Sequence, residues 1–202
     1  MPVILTIVFA YLLGSIPFSH LFPRLKGHDI RHKGTKNVGA TNALVVAGPI
    51  IGTLALIGDI GKGFLAVMLA KYFIPDAHWL PVLCGILAVA GHDFSIFLKF
   101  KGGKGVATTG GAWLALDPIL TSLFILLWGL LIITTRYFIM STVIIFALIP
   151  VLLLVFNRGI ELVMFAVLTF ILAAVAHCKD ISRFFSGKEL NTSEALRHYL
   201  AK

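Results

Sequence analysis

Charge is what this chain has least of. Only 13% of its 202 residues are charged, where a soluble domain carries about 25%. Too few charges remain to clothe an aqueous globule. With 58% hydrophobic residues and a mean hydropathy of +0.97, the chain reads as an all-α integral membrane protein. Nearly its whole length is needed to span, so residues 1–202 are expected to form a single polytopic membrane domain. Cysteine is also scarce. Cys84 and Cys178 make no CxxC pattern, which excludes a disulfide framework and a thiolate metal site. No His, Cys and carboxylate set has ligand spacing, so neither a metal nor a cofactor is expected. No Lys or Arg precedes the first apolar run. A secretory leader would need one, so Val3–Leu13 is expected to begin a retained first span with its N-terminus outside.

The apolar segments cover about residues 2–22, 50–74, 80–98, 119–135, 138–156 and 160–176, with a short one at 106–116. The second is interrupted by Gly58-Asp59-Ile60-Gly61-Lys62-Gly63, where breaks and close helix packing both fit the glycines. The basic residues gather in three clusters. These are Arg24, Lys26, Arg31, Lys33 and Lys36; Lys99, Lys101 and Lys104; and Lys179, Arg183, Lys188, Arg197 and Lys202. Cationic loops belong on the cytoplasmic side. An even number of crossings must then separate the second cluster from the third. The three full-length segments between them are odd in number, so the short one must cross too, ended by Asp117-Pro118. About seven spans result, with the C-terminus cytoplasmic and three motif loops on the cytoplasmic face; five is the alternative. Arg136 falls on the same face. The clusters are separated by spans and lack an aromatic–basic pattern, which argues against a nucleic-acid partner.

Three polar stretches carry the chemistry. The first runs from Gly27 to Asn42 and contains Thr35-Lys36-Asn37-Val38-Gly39-Ala40-Thr41-Asn42. Small hydroxyls, amides and glycines offer several donors without bulk, which suits phosphate or glycerol oxygens. A solvated loop with Thr41 or Asn42 capping the next helix is the plainer alternative. The second is Gly91-His92-Asp93-Phe94-Ser95-Ile96-Phe97-Leu98-Lys99-Phe100-Lys101-Gly102-Gly103-Lys104-Gly105. Glycines let backbone N–H groups approach an anion, and lysines supply countercharge. It is not a nucleotide-binding P-loop, because Leu98 stands where the first glycine would be and Val106 where Ser or Thr would follow. The third stretch starts at His177, with Asp180 one helical turn on. Asp59 and Lys62, three apart in an apolar run, fall within ion-pairing reach on one helix face. Charge at membrane depth is either functional or an internal salt bridge.

Together these stretches resemble the PlsY family of bacterial membrane glycerol-3-phosphate acyltransferases. The resemblance covers nearly the whole chain. It is carried by Gly14-Ser15-Ile16-Pro17-Phe18, the Asn37–Asn42 block, Asp59-Ile60-Gly61-Lys62-Gly63, Phe100–Thr108 and the His177 segment. It implies transfer of a fatty acyl group from acyl phosphate to the sn-1 hydroxyl of glycerol-3-phosphate. The products are lysophosphatidic acid and phosphate, in the first step of phospholipid biosynthesis. It places the protein in a bacterial inner membrane with its active site facing the cytoplasm, and it implies that the glycine-rich loop binds glycerol-3-phosphate. His177 is associated with activity and Glu189 with structural integrity. The chain departs from the family pattern in three places. Thr35-Lys36 stands where Ser-Gly is usual, Val45 where an Arg is usual, and Asp180 where an Asn is usual. Lys36 or Arg31 is expected to replace the missing cation.

Both substrates carry phosphate, so several negative charges must be neutralised. Lys101, Lys104, Arg136 and the N–H groups of Gly102 and Gly103 are the candidates, alongside Thr35, Lys36, Asn37, Gly39, Asn42 and Asp180 as binding residues. The catalytic candidates are His177, Lys104, Thr41 and Ser141. His177 is one choice of general base and a substrate phosphate oxygen the other. No His is followed by Asp after four intervening residues, so the HxxxxD pairing of another acyltransferase class is absent. The expected partners are acyl phosphate, glycerol-3-phosphate and the bilayer, with the chain acting as a monomer. Two rival readings remain at this stage. One is a transporter for a phosphorylated solute; the other is a scaffold whose basic loops bind anionic headgroups.

Overall fold

The computed structural model describes residues 2–200, apart from the side chains of Leu196, Tyr199 and Leu200. No strand occurs among the described residues, and the chain divides into two compact units, 1–117 and 118–202. In the first unit α1 (Val3–Ser15) stops where Ile16 turns extended ahead of Pro17, a position where the ring of a following proline disfavours helix. α2 (Phe18–Leu25) continues at a bend of 43°, so the first apolar run is a broken element rather than one straight helix. α3 (Ala40–Ala47) ends on Gly48, whose φ of +88° suits a residue without Cβ, and Pro49 opens α4 (Pro49–Phe73). α5 (Leu80–Asp93) leads through a 3₁₀ turn at Ile96–Leu98 to α6 (Val106–Leu116).

α4 runs unbroken for 25 residues, about 37 Å at 1.5 Å per residue, so the expected interruption at Gly58–Gly63 is corrected. Gly58 and Gly63 are packing positions instead. A Cβ on Gly58 would meet the Phe18 ring at 2.6 Å, and one on Gly63 would meet the Thr108 carbonyl at 2.0 Å. A Cβ on Gly111 of α6 would meet the Ile60 carbonyl at 1.9 Å. α4 and α6 therefore cross backbone to backbone. They point the same way, since Gly63 lies by Thr108 and the Lys71 ammonium donates to the Ala115 carbonyl further along both. α1 and α5 are also parallel, with Gly14 against Ala88 and the Ser95 hydroxyl on the Ser15 carbonyl. Small residues at such crossings are how membrane helices associate, because lipid is as apolar as Leu.

The second unit holds α7 (Pro118–Thr135), α8 (Phe138–Val155), α9 (Ile160–Ala176), α10 (Cys178–Phe185) and α11 (Thr192–Leu200). α7 packs on α8, α8 on α9, and α10 on the two latter. α10 leaves α9 at 64°. Both α7 and α8 have 18 residues, about 27 Å and close to a hydrocarbon core of about 30 Å. Among the described residues four helices are long and apolar enough to cross a membrane, or six if each bent pair is one span. α6 has 11 residues, about 16 Å, roughly half that thickness. Cys84 is buried and Cys178 exposed, and both are free thiols.

Candidate functional site

The first polar loop is built around one side chain. Asn42, 1% exposed, sits in the first turn of α3. Its Oδ1 accepts from the Thr35 N–H at 2.9 Å, and its Nδ2 donates to the carbonyls of Ile30, Lys33 and Asn37 at 2.8, 3.2 and 2.9 Å. Both amide donors are engaged and the oxygen accepts one bond, so Asn42 shapes the loop. Neither Thr41 nor Asn42 caps α3, whose N-cap is Gly39. The crest around Asn42 carries exposed Thr35, Lys36 and Thr41 and half-buried Asn37 and Gly39. Lys36 holds φ at +60°, a left-handed conformation that costs a side-chain-bearing residue about 1 kcal/mol. Arg31 is engaged nearby. Its guanidinium donates to Asp29 at 2.7 and 3.0 Å, and that bonding holds the Asp29 carboxyl well below the usual carboxylate range.

The glycine–lysine loop closes on the end of α5. Phe100 N–H donates to the Ser95 carbonyl at 2.8 Å, Gly102 N–H to Asp93 at 3.0 Å and Gly103 N–H to His92 at 3.0 Å. The Gly102 and Gly103 N–H groups are thus engaged by main-chain carbonyls, and the expectation that they face an anion is corrected. Their glycine identity has a steric cause. A Cβ on Gly102 would lie 1.9 Å from the His92 carbonyl oxygen. One on Gly103 would lie 2.1 Å from His92 Nε2 and 2.4 Å from the Val38 carbonyl. This last contact joins the two loops, and Lys104, the next residue, is half-buried. Lys101 remains exposed.

Beneath the loop lies a polar cluster that the sequence only half announced. Asp59 and Lys62 pair at 3.0 Å with 1% and 2% of each residue exposed. Asp59 also accepts from the Ser19 hydroxyl and lies 3.5 Å from His92 Nδ1, which contacts Thr108 Oγ1 at 3.2 Å. The Lys62 ammonium donates to the Ile16 carbonyl at 2.8 Å, one of the carbonyls that the break after α1 leaves without a helical partner. The i, i+3 spacing announced Asp59 and Lys62. Ser19, His92 and Thr108 were missed. His92 stood inside the quoted glycine–lysine stretch, and Ser19 directly follows the Gly14–Phe18 block.

In the second unit Arg136, exposed and at φ +63°, links α7 to α8. Its carbonyl accepts from the Thr192 N–H at 2.8 Å. Ser141 is buried in the first turn of α8, where its hydroxyl donates to the Tyr137 carbonyl and meets Thr135 Oγ1, each at 2.8 Å. It is not a helix cap, since the N-cap is Tyr137. His177 forms the corner between α9 and α10 and is 3% exposed. Its Nδ1 lies 2.9 Å from the Ala173 carbonyl. A carbonyl can only accept, so the neutral ring carries its proton on Nδ1 and its lone pair on Nε2. Asp180 pairs with Arg183, which also donates to Glu189 at 2.9 Å. Its anionic charge, the departure noted in the sequence, is therefore compensated, and Glu189 holds the same arginine. Tyr137 packs edge-on against Phe184, so α8 and α10 meet where Ser141 lies.

No group of three or more His, Cys, Asp or Glu among the described residues is placed to hold a metal ion. A helical bundle with such apolar spans and paired basic, glycine-rich loops defines an integral membrane protein. A family model described as glycerol-3-phosphate acyltransferase matches residues 4–187. The glycerol-3-phosphate acyltransferase of Syntrophomonas wolfei is 38% identical over 189 residues, covering 93% of this chain and 96% of that protein. Glycerol-3-phosphate acyltransferase 2 of Moorella thermoacetica is 40% identical over 195 residues, covering 95% and 98%. Two crystal structures of PlsY, an integral membrane glycerol 3-phosphate acyltransferase, superpose with a TM-score of 0.87 at 32% identity. The glycerol 3-phosphate form covers 94% of each chain. The lysophosphatidic acid form covers 96% of this chain and 98% of its own. This chain belongs to the glycerol-3-phosphate acyltransferase family, and it is an acyltransferase.

Proposed function

We propose that the protein transfers an acyl group from acyl phosphate to the sn-1 hydroxyl of glycerol-3-phosphate, giving lysophosphatidic acid and phosphate as the first step of phospholipid biosynthesis. The observation that carries this reading is the junction of Gly103 with Val38. It brings the ammonium-bearing loop onto the hydroxyl- and amide-rich one, within a family that acylates a phosphorylated alcohol. In the reaction the glycerol oxygen attacks the acyl carbonyl. The bond between that carbon and the phosphate oxygen breaks, and phosphate leaves with the electron pair. Acyl phosphate is a mixed anhydride and needs no strong acid to depart. What remains is charge neutralisation and removal of the hydroxyl proton.

In the first unit Lys104, Lys101 and Lys36 supply positive charge, with Thr35, Asn37 and Gly39 on the glycerol and phosphate side and Thr41 contributing a hydroxyl. In the second unit Arg136 supplies positive charge, Ser141 a hydroxyl, and Asp180 orients Arg183. Proton removal falls to a phosphate oxygen of the substrate, with His177 Nε2 as the alternative acceptor. The site faces the cytoplasm of a bacterial inner membrane, in a monomer with about seven crossings and its N-terminus outside. The shared direction of α4 and α6 supports this count, which requires α6 to run in the same sense as α4.

The test uses purified protein in lipid or detergent, supplied with glycerol-3-phosphate and either acyl phosphate or acyl-CoA, with lysophosphatidic acid and phosphate release followed together. Turnover with acyl phosphate alone, lost in Lys104→Ala, is expected. Residual turnover in His177→Ala points to substrate assistance. Folded protein inert with both donors refutes the reading.

A further inference from the structure

The buried cluster under the glycine–lysine loop takes no part in the reaction just described, yet it places a carboxylate and an ammonium in the interior of the first unit. Asp59 and Lys62 are both nearly inaccessible. A buried ion pair is weak as a source of stability, since its desolvation offsets much of its attraction, and apolar residues of the same volume often serve as well. At membrane depth the penalty rises. Its contacts centre on Asp59, which holds Lys62, Ser19 and His92, and of these His92 is the one that reaches the loop. His92 Nδ1 faces Asp59 at 3.5 Å and the Thr108 hydroxyl at 3.2 Å. The opposite ring edge, Nε2, lies where a Gly103 Cβ would be, at 2.1 Å. The His92 carbonyl accepts the Gly103 N–H, and the neighbouring Asp93 carbonyl accepts the Gly102 N–H, both at 3.0 Å.

The imidazole is thus clamped on one side by α4 and α6 and presses with the other on Gly103, directly before Lys104, while the His92 carbonyl packs against Gly102. We propose that His92 is a positioning residue for glycerol-3-phosphate binding. Held by Asp59 and Thr108, it fixes the Gly102–Gly103 backbone and so places the Lys104 ammonium. This inference rests on the acyltransferase reading and on Lys104 binding the phosphate of glycerol-3-phosphate. Asp59, with Lys62 and Ser19 behind it, holds the clamp and never meets substrate. Displacing a binding group by about 1 Å is enough to cost on the order of 10- to 100-fold.

The experiment compares His92→Ala, His92→Asn and Thr108→Val in purified full-length protein. Each is made with Lys104 intact and in a Lys104→Ala background. The readouts are kcat, the KM for each substrate and, for variants that turn over slowly, the dissociation constant of glycerol-3-phosphate without donor. His92→Ala is expected to raise the glycerol-3-phosphate constant on the order of 10-fold while the acyl phosphate KM stays within about twofold. His92→Asn, whose amide reaches only where Nδ1 stood and leaves the Gly103 side empty, shows a loss close to that of His92→Ala. Thr108→Val, nearly isosteric, shows a smaller rise and keeps the test open if His92→Ala fails to fold. In the Lys104→Ala background the effect of each vanishes, because a residue acting through Lys104 has nothing left to place. Equal rises in both KM values, additive effects in the double variants, or unchanged constants in His92→Asn and Thr108→Val together overturn the proposal. If Lys104→Ala itself leaves glycerol-3-phosphate binding unchanged, the site assignment fails first and takes the proposal with it.

Discussion

Two glycines on one helix, two residues apart, should respond to the same substitution with opposite signs. A Cβ on Gly61 meets nothing within 4 Å, while a Cβ on Gly63 lies 2.0 Å from the Thr108 carbonyl oxygen and 3.1 Å from the Ala112 nitrogen. Gly61→Ala therefore adds only helix propensity, a gain of about 0.5–1 kcal/mol. Gly63→Ala adds the same gain but drives a methyl into backbone, which has no rotamer to escape into. α4 and α6 must separate by roughly 1 Å to restore contact distance, and overpacking of this kind costs about 1–3 kcal/mol or more. The separation also strains Gly111, whose own Cβ position is 1.9 Å from the Ile60 carbonyl across the same crossing. For a chain of this size about 1 kcal/mol moves the unfolding midpoint by roughly 2–4 °C. Thermal unfolding of the detergent-solubilised variants should then show Gly61→Ala up by about 1–4 °C and Gly63→Ala down by about 3–10 °C. If both variants shift the midpoint in the same direction, the α4–α6 crossing is not as close as described and the argument is refuted.

Lys62→Met strands the Asp59 carboxylate in the core and should cost about 3–5 kcal/mol, whereas the Asp59→Asn/Lys62→Met double variant should recover most of it, both read as unfolding midpoints. Asn42→Asp replaces a donor that serves three carbonyls with an acceptor; it should lower stability by about 1–3 kcal/mol and loosen the loop, seen as proteolytic cleavage between α2 and α3. The Asp29 carboxyl is depressed by its bonds to Arg31, so its contribution is fully present above the unfolded value near 4 and is lost as pH falls through the lower folded value. Wild type should therefore exceed Asp29→Asn by at most about 0.5 kcal/mol at neutral pH, with the difference closing in acid and shrinking in high salt. Because Arg31 is occupied by Asp29 while Lys36 stands exposed on the loop crest, Lys36→Ala should raise the glycerol-3-phosphate KM several-fold more than Arg31→Ala, which steady-state kinetics would decide.

The helices were legible because apolar runs of this length have few alternatives, and their ends were punctuated by Pro49, Pro81, Pro118 and the His177 corner. What misled was composition at close quarters. Gly58–Gly63 looked like a break because glycine and charge both disfavour a membrane helix in isolation. The helix persists because Asp59 and Lys62 answer each other, and because Gly58 and Gly63 face neighbours that leave no room for a side chain. The glycine–lysine loop was misread in a related way. Glycine permits an anion to approach the backbone, but it equally permits another part of the protein to do so. Sequence alone cannot tell a ligand from an imidazole or a carbonyl. Here His92 and Val38 occupy the space that the missing Cβ atoms vacate. The same uncertainty covered Arg31 and Lys36, since a loop has no fixed period to say that Asp29 folds back onto the first and leaves the second exposed. The sequence thus singled out the glycine–lysine loop and named both its lysines and its glycine N–H groups, of which the N–H groups are taken by the His92 and Asp93 carbonyls. On the proposed function recognition rests on the lysines, and the glycines, with His92 beneath, shape the loop that carries them.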